Sequence, residues 1–249
     1  MQSIPVHDPA AIAALERSST ATVTTLLLKR GLRNVWMRGT RPLAGAGRTP
    51  CRAGPAFTLR FVPMREDLAT PESWASGGST RAAVEAMGRG DIAVVDSGGQ
   101  RDAGIFGDIL CRRMLARGVA GLVTDGALRD QRGTLATGLP VWAAGVAAPP
   151  AIGAMTFAGW GDLIGCGGVA VRPGDMIVAD DDGAVVIPAG LVPEVAEAAA
   201  RQDDEESWVL AEVAGGAALP GLYPMNDATR SRYERARAAC KTHGKEPAQ

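Results

Sequence analysis

The sequence has 249 residues, of which 46% are apolar, enough for one large α/β domain or two small ones. Its 26 Lys and Arg residues nearly balance 27 Asp and Glu residues, so no basic surface is predicted for nucleic acid or an anionic membrane. Because Met1–Ala14 has no basic flank before an apolar run, and no segment resembles a membrane span, we expect a soluble cytoplasmic protein.

The N-terminal part predicts helices, then a half-buried strand. An Ala- and Leu-rich pattern from Ala10 to Arg30 is interrupted by Ser18-Ser19-Thr20, whose hydroxyls are suited to cap a second helix. Apolar and polar residues then alternate from Ala56 to Val62, as they do in a strand with one buried face. Met64–Gly78 shows no period and predicts a surface loop.

Helices and short buried strands alternate in the middle of the chain. Helices are predicted over Thr80–Met87 and Ala103–Arg117. Apolar runs predict strands at Ile92–Asp96, Val119–Thr124 and Leu139–Trp142. The predicted elements are therefore those of an α/β fold.

The C-terminal third predicts a β-hairpin and two helices. Met176–Pro188 contains two strand-like runs around an Asp-Gly turn. Leu191–Leu210 is a helical stretch rich in Ala and Glu, and Asn226–Thr242 predicts a polar helix with four arginines. No internal repeat is present.

Several common sites are disfavoured by the residues themselves. The four cysteines are far apart and form no Cys-x-x-Cys pair, so buried thiols are expected rather than a zinc site. His7 and His243 are the only histidines, and both lie near a terminus, which weakens triad and His-ligated zinc interpretations. Gly165–Ala170 matches a loose dinucleotide pattern but precedes a strand, and Asp180-Asp181-Asp182 fits a turn better than a calcium loop.

One spacing suggests chemistry: Asp108 is followed by twenty residues and then by Arg129-Asp130. If the intervening helix and strand fold back, two carboxylates and a guanidinium come together, which suits a divalent ion and an anionic substrate. Glycines at 104 and 107 would expose backbone amides at a helix N-terminus for a carboxylate. The alternative is that Asp108 caps a helix while Arg129 and Asp130 are ordinary loop charges.

These residues belong to a series of short motifs that resembles a known family. The motifs are Gly54-Pro55-Ala56-Phe57-Thr58, Gly90-Asp91-Ile92, Gly107-Asp108-Ile109-Leu110, Gly118 to Asp130, Leu139-Pro140-Val141 and Arg172-Pro173-Gly174-Asp175 to Pro188. Together they closely resemble the RraA-like family, which includes 4-hydroxy-4-methyl-2-oxoglutarate and 4-carboxy-4-hydroxy-2-oxoadipate aldolases. The resemblance covers roughly residues 18 to 210.

The resemblance implies a fold and an assembly. The expected fold is a layered α/β/β/α sandwich similar to the swivelling phosphohistidine domain, with N- and C-terminal helices. We expect one domain over residues 1–249, with its core at about 18–210 and a helical extension at about 211–249. Homotrimers or homohexamers with sites at the subunit interfaces are also implied.

The resemblance assigns roles to the candidate residues. Asp130 would hold Mg²⁺ or Mn²⁺, with Asp108 helping through water, while Arg129 would bind the substrate and act in catalysis. Backbone amides of Gly107, Asp108, Ile109 and Leu110 would bind the pyruvyl carboxylate. Glu205 is the best match for a catalytic acid that a neighbouring subunit supplies, although Asp204 and Glu206 are adjacent.

The implied reaction is metal-dependent cleavage of a 4-hydroxy-2-oxo acid to pyruvate and a carbonyl product. Oxaloacetate decarboxylation is expected from the same site, because a metal and Arg129 would stabilise the same pyruvate enolate. The alternative is a regulator that binds a ribonuclease E-type nuclease without chemistry. The retained Asp108, Arg129 and Asp130 favour the enzyme. A methyltransferase is disfavoured because the required glycine-rich loop is missing.

Overall fold

The computed structural model describes residues 5–43 and 49–243, and helices and strands are mixed along this part of the chain. Its helices are α1 Pro9–Leu15, α2 Thr20–Lys29, α3 Thr80–Ala86, α4 Asp108–Arg117, α5 Gln131–Thr137, α6 Val192–Ala214 and α7 Asp227–His243. Its strands are β1 Trp36–Met37, β2 Arg41–Pro42, β3 Arg52–Pro63, β4 Ile92–Asp96, β5 Gly121–Thr124, β6 Ala127–Leu128, β7 Val141–Ala143, β8 Gly145–Val146, β9 Met155–Trp160, β10 Ile164–Cys166, β11 Val169–Val171, β12 Met176–Asp180 and β13 Gly183–Ile187. The α/β class and the helices at both ends are confirmed; the α/β/β/α sandwich stays a prediction.

The central sheet is mixed. Its strands follow the order β1-β13-β12-β3-β4-β5-β7-β2, and β9 pairs with the end of β3. Strands β3, β4, β5 and β7 run parallel to one another, whereas β12, β13 and β9 run antiparallel to their neighbours. Parallel strands end at the same edge of a sheet, where ligands bind in open α/β folds. The loops after β4 and β5 leave from that edge and carry the candidate residues.

The sheet separates two hydrophobic clusters. In β4, Ile92 and Val94 belong to one cluster and Ala93 and Val95 to the other, because successive residues of a strand point to opposite faces. The first cluster includes buried residues of α1, α2 and the β12–β13 hairpin, and the second includes those of α3 and α4. Both faces of β4 are thus buried, as its apolar run predicts.

The predicted cap and hairpin in the N- and C-terminal parts are confirmed. The Ser19 side chain accepts a hydrogen bond from the Thr22 amide as the N-cap of α2. The Thr20 amide and hydroxyl each donate to Asp180 at 2.8 Å, which ties α2 to the β12–β13 hairpin. Asp180 also accepts from the Asp182 amide at 2.9 Å, so this carboxylate serves the turn, as expected.

Several elements differ from the sequence-based prediction, which included neither helix α5 nor strand β9. The helix predicted over Ala103–Arg117 begins only at Asp108, so its first turn was wrong. The Gly104 amide donates to the Pro149 carbonyl and the Ile105 amide to the Ala127 carbonyl, both at 2.9 Å, so this segment is held by neighbouring chain segments. Strand β9 was missed because Ala158 and Gly159 interrupt the alternation that begins at Met155; pairing with β3 defines it.

The residues group into two compact units, Met1–Ala199 and Ala200–Gln249, and the division falls within α6. In the second unit, Trp208 packs edge-to-face on Tyr233, with ring centroids 5.6 Å apart. Ion pairs also join the two helices of this unit: Arg230 with Glu205, Arg232 with Glu212, and Arg237 with Asp204. The expectation of a single domain with a core to about residue 210 stays a prediction.

Two thiols are buried, as expected. Burial raises the pKa of Cys111 to about 12 and that of Cys166 well above its usual value. Neither forms a disulfide in the part of the chain that the structure describes. In the same part, no helix combines the length and apolarity needed to cross a membrane.

Candidate functional site

A cleft of about 510 Å³ brings the three candidate residues together. Asp108, Arg129 and Asp130 all line it, although twenty residues separate the first from the other two. Phe61 and Phe157, whose ring centroids are 5.1 Å apart, form part of its apolar wall. The predicted return of helix and strand therefore produces a cleft with charged groups beside an apolar surface, which is a common form of small-molecule site.

Asp108 is the first residue of α4. The N-cap is Gly107, whose backbone is extended, and Asp108 Oδ1 accepts a hydrogen bond from the Ile109 amide at 2.8 Å. A carboxylate in this turn also interacts favourably with the helix dipole. Asp108 therefore contributes to the helix start, as the alternative interpretation held, while its side chain also faces the cleft. The Ile109 amide was predicted to donate a hydrogen bond to the substrate carboxylate. It already donates to Asp108, so a substrate would have to share this amide with Asp108.

Asp130 has an uncommon backbone conformation. Its φ is 54°, which makes it the one non-glycine residue with positive φ among those the structure describes. The left-handed region costs roughly 1–2 kcal/mol for most residues, although Asp and Asn adopt it more readily than others. Asp130 occupies the N-cap position of α5, and its Oδ2 accepts from Arg129 Nε at 3.1 Å. Strained residues of this kind concentrate at functional sites.

Three glycines allow the candidate residues to approach their neighbours closely. A Cβ on Gly104 would lie 2.5 Å from the Arg129 amide nitrogen, and one on Gly107 would lie 2.6 Å from Asp130 Oδ2. A Cβ on Gly133, in α5, would lie 2.7 Å from Asp108 Oδ2. Gly133 was not identified from the sequence because helix α5 was not predicted. Once the helix is known, a glycine inside it is a signal, since it costs about 1 kcal/mol relative to alanine.

Gly133→Ala is expected to lower both the activity of the cleft and the stability of the protein. The new methyl group would lie 2.7 Å from Asp108 Oδ2 and 2.9 Å from the Asp108 Cβ, so the carboxylate is displaced and α4 and α5 must move apart, which outweighs the helix preference of alanine. A displacement of about 1 Å can cost roughly 100-fold in rate, so we expect a loss of about 10- to 100-fold in kcat/KM, measured where the variant is fully folded, with a lower melting temperature. Gly190→Ala is the control, because its Cβ would meet no atom within 4 Å. Unchanged kcat/KM in Gly133→Ala would contradict a role for the position of Asp108.

The loop that leads to Arg129 is anchored by a buried carboxylate. Asp125 is 9% exposed and accepts from the Ser97 amide at 2.9 Å, the Ser97 hydroxyl at 2.8 Å and the Gly167 amide at 3.2 Å. The Arg129 amide then donates to the Phe106 carbonyl at 3.0 Å. These bonds join the loops after β4 and β5, so the cleft residues lie on a fixed backbone.

Glu205 lies in the second compact unit. Its carboxylate accepts from Arg230 Nη1 at 2.8 Å and Nη2 at 3.3 Å. This pair occupies both carboxylate oxygens, and a catalytic Glu205 must exchange Arg230 for another partner. Its role at a neighbouring subunit stays a prediction.

The carboxylates of the cleft suit Mg²⁺ or Mn²⁺ better than zinc. No group of three or more His, Cys, Asp or Glu residues suited to a metal occurs in the described part of the chain. Structural and catalytic zinc sites use at least three protein ligands, whereas Mg²⁺ is often held by one or two carboxylates and keeps several waters. Asp108 and Asp130 are therefore compatible with a Mg²⁺ or Mn²⁺ site completed by water and substrate.

A larger open depression of about 750 Å³ lies elsewhere in the first unit. Its lining includes α2 residues, Trp36, and the turn residues Asp181 and Asp182. Trp36 and Asp182 already interact there, since the indole N–H donates to the Asp182 carbonyl at 3.2 Å. The larger depression also contains two carboxylates and arginines, but its aspartates belong to the β12–β13 turn. The smaller cleft is the better candidate because it brings together Asp108, Arg129 and Asp130, which are distant in sequence and which the spacing singled out.

Comparison with known proteins gives a family match over most of the first unit. The model of the RraA-like family, described as aldolase/RraA, matches residues 20–186. This range contains all three charged candidates of the cleft and excludes Glu205.

Two similar proteins show how far the sequence similarity extends. A Halalkalibacterium halodurans protein, provisionally named a 4-hydroxy-4-methyl-2-oxoglutarate aldolase, is 38% identical over 138 residues, covering 52% of this chain and 64% of the relative. Protein DlpA of Legionella pneumophila is 29% identical over 166 residues, covering 67% of this chain and 26% of the relative. The chain therefore spans less than two thirds of either relative.

A solved structure extends the match to the fold. A Streptomyces coelicolor protein, described as an unusual member of the RNase ES inhibitor RraA family, superimposes with a TM-score of 0.72 at 32% identity. The superposition covers 82% of this chain and 98% of that one.

Proposed function

This chain belongs to the RraA-like family, and we propose that it is a divalent-metal-dependent lyase that cleaves a 4-hydroxy-2-oxo acid to pyruvate and a carbonyl compound. One observation carries the proposal: Asp108, Arg129 and Asp130 line a single cleft. The close approach of Gly107 to Asp130 and of Gly133 to Asp108 supports it, because larger residues would displace either carboxylate.

Each cleft residue has a distinct role in this proposal. Asp130, with Asp108 through water, would hold Mg²⁺ or Mn²⁺, which when bound supplies an electron sink for the 2-oxo group. The Arg129 guanidinium binds the substrate carboxylate and stabilises the negative charge that develops as the carbon–carbon bond breaks. The amides from Gly107 to Leu110 bind the pyruvyl carboxylate at the start of α4, where the helix dipole favours an anion.

The proposal assigns no histidine to proton transfer. The substrate hydroxyl would lose its proton to water held in the cleft or to a carboxylate, for which Glu205 is the candidate. The same cleft would decarboxylate oxaloacetate, since loss of CO₂ and loss of a carbonyl compound leave electrons at the same carbon. The second reaction needs no additional residue.

We propose a homotrimer or homohexamer in which the cleft lies at a subunit interface. Apolar side chains at the cleft support this, since Ile109 is 80% exposed and Leu68 51% exposed, and both line it. The proposed ligand is a small 2-oxo acid, and neither nucleic acid nor a membrane is a proposed partner. A cytoplasmic location stays a prediction.

The test is pyruvate release from 4-hydroxy-4-methyl-2-oxoglutarate and from oxaloacetate. We expect turnover with Mg²⁺ or Mn²⁺, loss of turnover in EDTA, and recovery when the metal is added back in excess. The free metal without protein is the control, because divalent ions alone accelerate oxaloacetate decarboxylation. Turnover that persists in EDTA would contradict the metal dependence.

A second candidate function is inhibition of a ribonuclease E-type nuclease by direct binding. The similar Streptomyces coelicolor structure favours it, because that protein is described as a member of a family of RNase ES inhibitors. Absence of turnover above the free-metal rate, together with inhibition of such a nuclease by the purified protein, would establish this function in place of the lyase.

A further inference from the structure

We propose that Thr134 is a positioning residue for the metal site, and that its buried hydroxyl holds the backbone of Asp130 in the left-handed conformation from which the Asp130 carboxylate faces the cleft. The inference rests on the proposed function in one respect, because it takes Asp130 as the metal ligand. It adds a residue of α5 that lies behind the cleft and is not part of its lining.

Thr134 bonds to both peptide groups that flank the Asp130 Cα. The backbone conformation of a residue is set by rotation of these two planar groups, which φ and ψ describe. For Asp130 the two angles are 54° and 46°. The Thr134 hydroxyl donates to the Arg129 carbonyl, in the preceding peptide group, at 3.2 Å. The Thr134 amide donates to the Asp130 carbonyl, in the following peptide group, at 2.8 Å. One residue therefore restrains both angles of Asp130.

Only the hydroxyl bond depends on the side chain of residue 134. The amide bond is the first helical bond of α5, and any residue except proline would supply it. The bond to the Arg129 carbonyl requires a hydroxyl at this position. Residues in sparsely populated backbone conformations persist only where the surrounding structure over-determines them. The Thr134 hydroxyl supplies such a restraint, and its loss would allow the peptide group between Arg129 and Asp130 to turn.

The surroundings of Thr134 favour this direction of the hydroxyl bond. Thr134 is fully buried, and its branched side chain has restricted rotation. The Cys111 thiol of α4 interacts with the same hydroxyl, and burial raises the pKa of this thiol to about 12, so it stays protonated at neutral pH. A protonated thiol can donate weakly to the hydroxyl oxygen, which leaves the hydroxyl hydrogen for the Arg129 carbonyl.

The experiment measures binding of Mn²⁺ alone, from the electron paramagnetic resonance signal of the free ion, and records the melting temperature of each protein. Thr134→Val keeps the branched shape and the amide bond but removes the hydroxyl. We expect it to bind Mn²⁺ about 3- to 10-fold more weakly, which is the range of one hydrogen bond. Thr134→Ala also lacks the hydroxyl and should show a similar loss. Thr134→Ser keeps the hydroxyl and should bind Mn²⁺ within about twofold of the wild type.

Thr137→Val is the matched control in the same helix. Thr137 is also buried, and its hydroxyl donates to the Thr134 carbonyl at 2.7 Å and accepts from the Leu139 amide at 3.1 Å. Both bonds lie toward the C-terminal end of α5, away from Asp130. Thr137→Val should therefore lower the melting temperature at least as much as Thr134→Val and leave Mn²⁺ affinity within about twofold of the wild type. This comparison separates positioning of the metal ligand from a general loss of stability.

The outcomes separate this inference from the proposed function. Unchanged Mn²⁺ affinity in Thr134→Val, an equal loss in Thr137→Val, or a loss in Thr134→Ser as large as that in Thr134→Val would each overturn the role of Thr134. Mn²⁺ binding that survives Asp130→Asn would overturn it as well, because the ion would then bind elsewhere. A wild-type protein that binds no Mn²⁺ would overturn both proposals. Selective weakening in Thr134→Val, in a protein that releases no pyruvate from any 4-hydroxy-2-oxo acid, would support Thr134 and overturn only the lyase proposal.

Discussion

Asp130→Asn is expected to reduce metal-dependent pyruvate release about 1,000-fold or more while the protein stays folded. Asparagine tolerates the left-handed backbone that Asp130 adopts at φ 54°, so the substitution removes the charge without adding strain. A catalytic metal contributes several kcal/mol to transition-state stabilisation, and about 4 kcal/mol corresponds to roughly 1,000-fold. The measurement is kcat/KM across a range of Mg²⁺ concentrations, with the melting temperature recorded for each protein.

Two further variants identify the cause of the loss. Asp102→Asn makes the same change of charge at an exposed residue that does not line the cleft, and should retain full activity. Asp130→Ala combines loss of the carboxylate with strain at a positive φ, so it should be less stable than Asp130→Asn but no more active. If Asp130→Asn leaves both kcat/KM and the Mg²⁺ concentration for half-maximal activity within about twofold of the wild type, Asp130 is not a metal ligand.

Buried segments of the fold could be predicted from sequence because their side chains carry the signal. The first four residues of β4, 92–95, are an uninterrupted apolar run because both faces of the strand are covered there. The stretch that forms β9 lacks such a pattern, and its backbone pairing with β3 is a long-range property that no local period reports. The start of α4 was predicted too early for a similar reason: the backbone amides of Gly104 and Ile105 form hydrogen bonds with segments distant in sequence instead of helical hydrogen bonds.

The candidate site was predicted more by motif than by physics. Spacing alone left Asp108, Arg129 and Asp130 open to a structural interpretation, and Asp108 does bond to the Ile109 amide of its own helix. The left-handed backbone of Asp130 and the contact of Gly133 with Asp108 depend on how α4 meets α5. These two features arise from the packing of segments that are distant in sequence, and no short stretch of the sequence predicts them.

Arg129→Ala is expected to lower kcat/KM by roughly 100- to 1,000-fold, with a rise in KM accompanying the fall in kcat. The guanidinium would bind the substrate carboxylate in the ground state and stabilise the negative charge that develops in the transition state, so both KM and kcat change. Removal of one partner from a desolvated charge pair costs about 2–5 kcal/mol, which covers this range. The measurement is steady-state pyruvate release with both substrates, alongside calorimetric binding of pyruvate.

Arg129→Lys separates charge from geometry. Lysine keeps the positive charge but lacks the planar fork that bonds a carboxylate through two nitrogens, so its activity should lie between those of the wild type and Arg129→Ala. Arg132→Ala, at an exposed position of α5 outside the cleft lining, is the matched control. Because Arg129 Nε also lies 3.1 Å from Asp130 Oδ2, its loss could act through that carboxylate. In that case the Mg²⁺ concentration for half-maximal activity would shift while pyruvate affinity at saturating Mg²⁺ stayed constant, and this result would contradict direct substrate binding by Arg129.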